Sequence, residues 1–171
     1  MKTKNADRAA DNLLRIVENN HFRLSDMADN KAHLMVVVCS LMLSLLVPRF
    51  YDPLVRHPVI IMSIACVISI LCALYSAMPT YHRRQIGKPR IKNPNFNILF
   101  FGNFTQLSYE EFEKEMEQVI NDRDLVYESL IRDLYGLGEV LNDKKYRFVR
   151  LSYLFFMGGL LASGIALALS W

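Results

Sequence analysis

The sequence predicts an all-α membrane protein with three transmembrane helices, long cytoplasmic helical extensions and a short irregular aromatic segment. Three observations carry that expectation. Two apolar runs, 32–47 and 58–78, contain no Asp, Glu, Lys or Arg, and a third, 151–171, is equally free of charge. A helix needs about 20 apolar residues to cross a hydrocarbon core of about 30 Å. Apolar residues make up 52% of the 171, yet the charged fraction is an ordinary 22%. The apolar residues must therefore be gathered into spans, with the charges lying between them.

The first two runs are joined by a break holding Pro48, Arg49, Asp52, Pro53, Arg56 and Pro58. Its prolines stop both helices and forbid one continuous rod. A tight transmembrane hairpin over 32–78 follows, with spans at about 32–48 and 58–78. The first run is short, at about 16 residues. Lys31 and Arg49 can extend long stems into it and keep their charges at the interface. Two buried helices of a soluble domain would be the alternative, and the third apolar run disfavours it.

Residues 1–31 read as a cytoplasmic amphipathic helix preceded by a polar start, 1–7. Leu13, Val17, Asn20, Leu24, Met27, Lys31 and Leu34 recur at alternating steps of four and three, which is a heptad seam. No Pro or Gly interrupts the chain before Pro48, so this helix can run unbroken into the first span. The two polar members, Asn20 and Lys31, are of the kind that sets register or partner number. Packing against the protein's own helices is the favoured use of the seam. Asp26 and Asp29 lie one turn apart, just before the membrane. No apolar core of a secretory signal opens the chain, and the first span is expected to act as an uncleaved membrane signal.

The segment 79–150 is expected to be cytoplasmic and to hold two helices, at about 108–121 and 124–150. It starts with a basic strip, Arg83, Arg84, Lys88, Arg90 and Lys92 among Pro, Gly and Asn. Such residues orient spans and attract anionic headgroups. Residues 95–104 then crowd four phenylalanines and two aliphatics into ten positions. That run is too short to span a membrane and too apolar for a free loop, and a short strand and an irregular plug both fit it. Ser108 and Glu111 form a capping box, with Leu107 and Phe112 as its staple. The apolar face of that helix is Phe112, Met116, Val119 and Ile120, opposite Glu110, Glu113 and Glu117. A second seam, Tyr127, Ile131, Leu134, Gly138, Leu141, Lys145 and Phe148, leads through Lys144, Lys145, Arg147 and Arg150 into the third span, 151–171. Gly158, Gly159, Ala162, Ser163 and Gly164 make part of that span small-faced, as close helix contact in lipid requires. A homo-oligomer is expected on that basis, since three spans cannot enclose a pore alone.

The basic residues flank the N-terminal helix and fill 79–150, while the hairpin break holds only Arg49 and Arg56. The positive-inside rule puts the N-terminus and 79–150 in the cytoplasm, and the hairpin tip and C-terminus outside.

Catalytic chemistry is not expected. There is no Gly-rich phosphate loop and no Gly-x-Ser-x-Gly. His21, His33, His57 and His82 lack carboxylates at ligand spacing, and Asp122, Asp124, Asp133 and Asp143 form no metal loop. Cys39, Cys66 and Cys72 lie inside apolar runs as small hydrophobes. No metal, cofactor or nucleic-acid polymer is implied, and the net charge of +3 is modest.

The words Ser-Asp-Met-Ala-Asp-Asn-Lys-Ala (25–32), Asn-Ile-Leu-Phe-Phe-Gly (97–102), Ser-Tyr-Glu-Glu-Phe (108–112), Ile-Arg-Asp-Leu-Tyr (131–135) and Lys-Lys-Tyr-Arg-Phe-Val-Arg-Leu-Ser-Tyr (144–153), set around these spans, resemble the membrane effectors of Pycsar, the pyrimidine cyclase system for antiphage resistance. The resemblance covers roughly residues 10–170. It implies a bacterial inner-membrane protein that answers cyclic UMP or cyclic CMP from a neighbouring cyclase. Its action would impair the membrane, so that infected cells stop growing before phage matures. Some members of that family have four spans, against three counted here. An anchor or adaptor for a partner enzyme, and a holin-like toxin that needs no ligand, are the alternative readings.

A ligand site is expected at the cytoplasmic membrane edge. Arg83 and Arg84 offer donors for a phosphate. Phe100 and Phe101 offer faces for a base. Asp26 and Asp29 are placed to hold the basic strip until a phosphate competes for it.

Overall fold

The structure, a computed structural model, describes residues 8–79 and 96–170. Among the described residues there are helices and turns and no strand. Helix α1 runs from Arg8 to Leu46, uninterrupted because no Pro or Gly falls within it. A short 3₁₀ turn, Val47–Arg49, then accommodates Pro48 at its start. In the break, the Asp52 Oδ1 accepts from the Leu54 N–H at 3.2 Å, a local turn that competes with helix. Helix α2, Arg56–Ala77, carries Pro58 in its first turn, where no backbone N–H is needed, and stops two residues before Pro79.

The aromatic stretch resolves the choice left open by its sequence. Residues 98–100 turn, and Phe101–Phe104 form a single helical turn, α3. Helix α4, Tyr109–Asn121, begins with the expected capping box. Ser108 Oγ accepts from the Glu111 N–H, and the Glu111 carboxylate accepts from the Ser108 N–H. Helix α5 covers Arg123–Val140. The long final helix is not uniform. Leu141–Tyr146 form one π turn, and α6 follows as Arg147–Leu169. Among the described residues three helices are long and apolar enough to cross a membrane, those containing α1, α2 and α6.

The chain divides into two compact units, Met1–Phe22 with Pro79–Val140, and Arg23–Met78 with Leu141–Trp171. The first unit has a small core of Phe96, Ile98 and Val119, bordered by Leu107, Phe112, Met116 and Val126. Phe112, Met116 and Val119 thus use the apolar face of α4, whereas Ile120 is 69% exposed. Across this unit the Tyr127 hydroxyl donates to Asp11.

In the second unit, α2 packs on α6 through small residues. Gly159 lies against Ala65 so closely that a Cβ there would overlap the alanine side chain. Ser69 Oγ donates to the Ser152 carbonyl at 2.8 Å and lies 2.9 Å from its hydroxyl. Helix α1 adds Ala28, Ala32, Met35 and Cys39 to a core shared with Met62, Cys66, Ala73 and Val149. This corrects the seam reading for the second unit. Leu24, Met27 and Leu34 are exposed, and the buried face of α1 is Ala28, Ala32, Met35 and Cys39. For Leu34, inside the first apolar run, lipid removes the gain from burial, while small residues such as Ala32 and Cys39 allow backbones to approach. The same logic relocates Gly159. It serves a contact within the chain, and Gly158 and Gly164 face open space.

Candidate functional site

Two polar clusters stand out, one in each unit. In the first unit the aromatic segment is tied to α5. Asn97 Nδ2 donates to Asp133 Oδ1 at 2.7 Å, while Asn97 Oδ1 accepts from the Leu99 N–H at 2.9 Å. Arg132 donates through Nη1 to the Phe96 carbonyl at 2.6 Å and through Nη2 to Glu128 at 2.7 Å. Phe96 is thereby pinned at 1% exposure. A Cβ on residue 102 would come within 2.5 Å of the Phe100 ring, so any larger residue there makes that ring move. The Phe100 and Phe101 rings sit 4.9 Å apart at 48°, and Phe101 is half-exposed.

The space beside this cluster, lined by Phe96, Asn97, Ile98, Ser129 and Arg132, is about 10 Å³, far below the volume of a nucleotide. A larger open groove of about 650 Å³ runs along α4, with Glu110, Glu113 and Glu117 in its lining. Those carboxylates repel a phosphate. The Glu110 carboxyl is held below its usual range, first by its own backbone N–H and then by the Ser108 hydroxyl.

In the second unit the π turn supplies three successive side chains to three acceptor sets. Lys144 Nζ donates to the Met78 carbonyl at the end of α2 at 2.5 Å. Lys145 Nζ donates to Asp29 Oδ2 at 2.5 Å and to Ser25 Oγ at 2.7 Å, both on α1. Tyr146 donates its hydroxyl to the Leu24 carbonyl at 3.2 Å. From α2, Ser76 Oγ donates to the Lys145 carbonyl at 2.9 Å. Burial, and after it the neighbouring Lys145 charge, pulls the Lys144 ammonium below its usual pKa. The second oxygen of Asp29, Oδ1, is buried and carries no hydrogen bond.

The chain matches the family model described as the Pycsar effector protein domain over residues 12–170. It belongs to that family. The match takes in both units and all three long apolar helices, so this Pycsar effector is a membrane protein. No curated protein and no solved structure matches the chain.

The residues expected to bind ligand fall as follows in this Pycsar effector. Arg83 and Arg84 lie outside the described residues. Phe100 and Phe101 are adjacent in the first unit, and Phe101 is half-exposed. Asp26 and Asp29 belong to the second unit, where Asp26 is exposed. Asp29 is engaged by Lys145, a partner that sequence reasoning did not assign to it. Lys145 was visible as the polar member of its seam, and Ser69 and Ser76 as hydroxyls seven residues apart in an apolar run. Nothing in the sequence said which of them would meet. The structure does bring two of the family's words together, since Asn97 of 97–102 bonds to Asp133 of 131–135.

Proposed function

We propose that this Pycsar effector is activated by a cyclic pyrimidine nucleotide, cUMP or cCMP, from a partner cyclase. The activated protein, as a homo-oligomer in the bacterial inner membrane, impairs the membrane and stops the infected cell. It works without catalysis of its own. The observation that carries this reading is the family match over 12–170, which takes in the apolar stretches of all three long helices among the described residues. The basic strip at Arg83 and Arg84 supplies phosphate donors, and the half-exposed Phe101 is an aromatic of the kind on which a base stacks.

Purified protein in liposomes tests it. Dye release on adding cUMP or cCMP, lost in the Arg83→Ala, Arg84→Ala double variant that still inserts normally, is the expected result. Release without nucleotide would instead support a holin-like toxin. A sealed liposome under all conditions would support an anchor for a partner enzyme. If the double variant still leaks on ligand addition, the arginines only orient the spans.

A further inference from the structure

Every charged contact between α1 and the rest of the second unit, among the described residues, is made by the π turn. Lys145 reaches Asp29 and Ser25, and Lys31 stands 6.0 Å over the Tyr146 ring. The turn grips α2 as well, through the Lys144 bond to Met78 and the Ser76 bond to Lys145. Below it the two helix contacts are unequal. α2 and α6 share the Ser69–Ser152 hydrogen bonds and the Gly159–Ala65 approach. α1 contributes Ala28, Ala32, Met35 and Cys39 to the packing. Lipid supplies no hydrophobic drive to hold helices together, so the attachment of α1 leans on the polar contacts at its membrane edge. π turns are rare and recur where a helix does something other than support itself.

We propose that residues 144–146 form an autoinhibitory clasp, in which the Lys145–Asp29 pair holds α1 against α2 and α6, and that opening the clasp frees α1 while α2 and α6 stay paired. The Lys145 side chain is 18% exposed and that of Asp29 is 42% exposed. The pair is therefore buried enough to be specific and open enough for a competing ion to reach. The unbonded Asp29 Oδ1 leaves that carboxylate held at one oxygen only. The clasp deepens the proposed function by giving it a resting state, and its existence does not require that the trigger be a nucleotide.

A cysteine at position 28 reports on it. Ala28 is 0% exposed, lies in the core that α1 closes and stands on the watery side of the first span, where a freed thiol can ionise and react. In proteoliposomes of an Ala28→Cys background, Lys145→Met and Asp29→Asn should each raise the rate at which N-ethylmaleimide labels residue 28 several-fold, read by mass spectrometry. The exchange variant Lys145→Asp with Asp29→Lys should bring the rate back towards that of the wild type. Wild-type labelling rates in both single variants would overturn the clasp. If a single variant fails to accumulate in the membrane, the exchange variant decides alone, slow labelling supporting the pair and fast labelling overturning it. Dye release is followed in parallel. Fast labelling with no release, with or without nucleotide, would leave the clasp standing and count against the membrane-impairing reading.

Discussion

Gly159 of α6 and Ala65 of α2 meet at a distance that leaves no room for a side chain on residue 159. Gly159→Leu should therefore separate the two helices, at a cost of about 1–3 kcal/mol typical of overpacking. The expected readout is a lower unfolding temperature in mild detergent. Gly158→Ala and Gly164→Ala, which meet nothing within 4 Å in the chain, should leave that temperature unchanged. Equal losses at all three positions would contradict the assigned contact. Association between copies is better probed at Gly158 and Gly164, because Gly159 is already occupied within the chain.

Ser69 and Ser152 form a buried polar pair between spans, and interhelical bonds of this kind contribute about 0.6 kcal/mol on average and about 1.7 at most. Ser69→Ala removes contacts to both the carbonyl and the hydroxyl of residue 152. It should cost more than Ser152→Ala, which leaves the carbonyl bond in place. A double-mutant cycle on unfolding in detergent measures the coupling. A larger loss for Ser152→Ala would count against the carbonyl bond as the stronger of the two contacts.

Ser108→Ala should weaken α4 by about 1 kcal/mol, the usual worth of an N-cap hydroxyl. Amide hydrogen exchange should quicken in the first turns of α4 and remain unchanged in α2. The same helix start has a pH signature. Glu110 has a folded pKa below its ordinary value, so its contribution is present above that ordinary value. It is lost as pH falls through the lowered one. α4 amides should therefore hold their protection down to mildly acidic pH and lose part of it only under more acidic conditions. In Ser108→Ala, with one of the two causes gone, that loss should begin at higher pH.

The orientation drawn from the basic residues has its own test. A reporter fused after Trp171 should read as external and one inserted near Gly87 as cytoplasmic. Cytoplasmic activity at both would overturn it.

What could be read from the sequence, and what could not, divides along the solvent. The spans were legible because a bilayer sets a minimum apolar length, and the break at Pro48, Pro53 and Pro58 because proline forbids continuation. The α4 start was legible because Ser108 and Glu111 act within one turn of chain. The inner face of α1 was not. A search for large apolar residues at heptad spacing picks out Leu24, Met27 and Leu34, while the contact is made by Ala28, Ala32, Met35 and Cys39. For Leu34, inside the first apolar run, lipid contact removes the drive to bury a large residue. The Lys145–Asp29 pair was equally hidden, since two ends of the chain meet there. Charge alone made the arginine strip an equally good partner for Asp29.

The small-residue face of α2 sets an order of assembly. Ala65, Ser69, Ala73 and Ser76 are buried in the finished protein, yet the π turn and α6, which supply the Lys145 carbonyl, Ser152 and Gly159, are synthesised only after all of α3, α4 and α5. During that interval a newly inserted hairpin turns serine hydroxyls and shallow alanine surface towards acyl chains. Its hydroxyls are left to bond back to their own helix. The hairpin is thus a translation intermediate that waits for a specific late-arriving helix. Ribosome stalling, truncation or slow release before residue 147 would leave it exposed to membrane proteases, and the yield of effector in the cell would follow the pace at which α6 arrives.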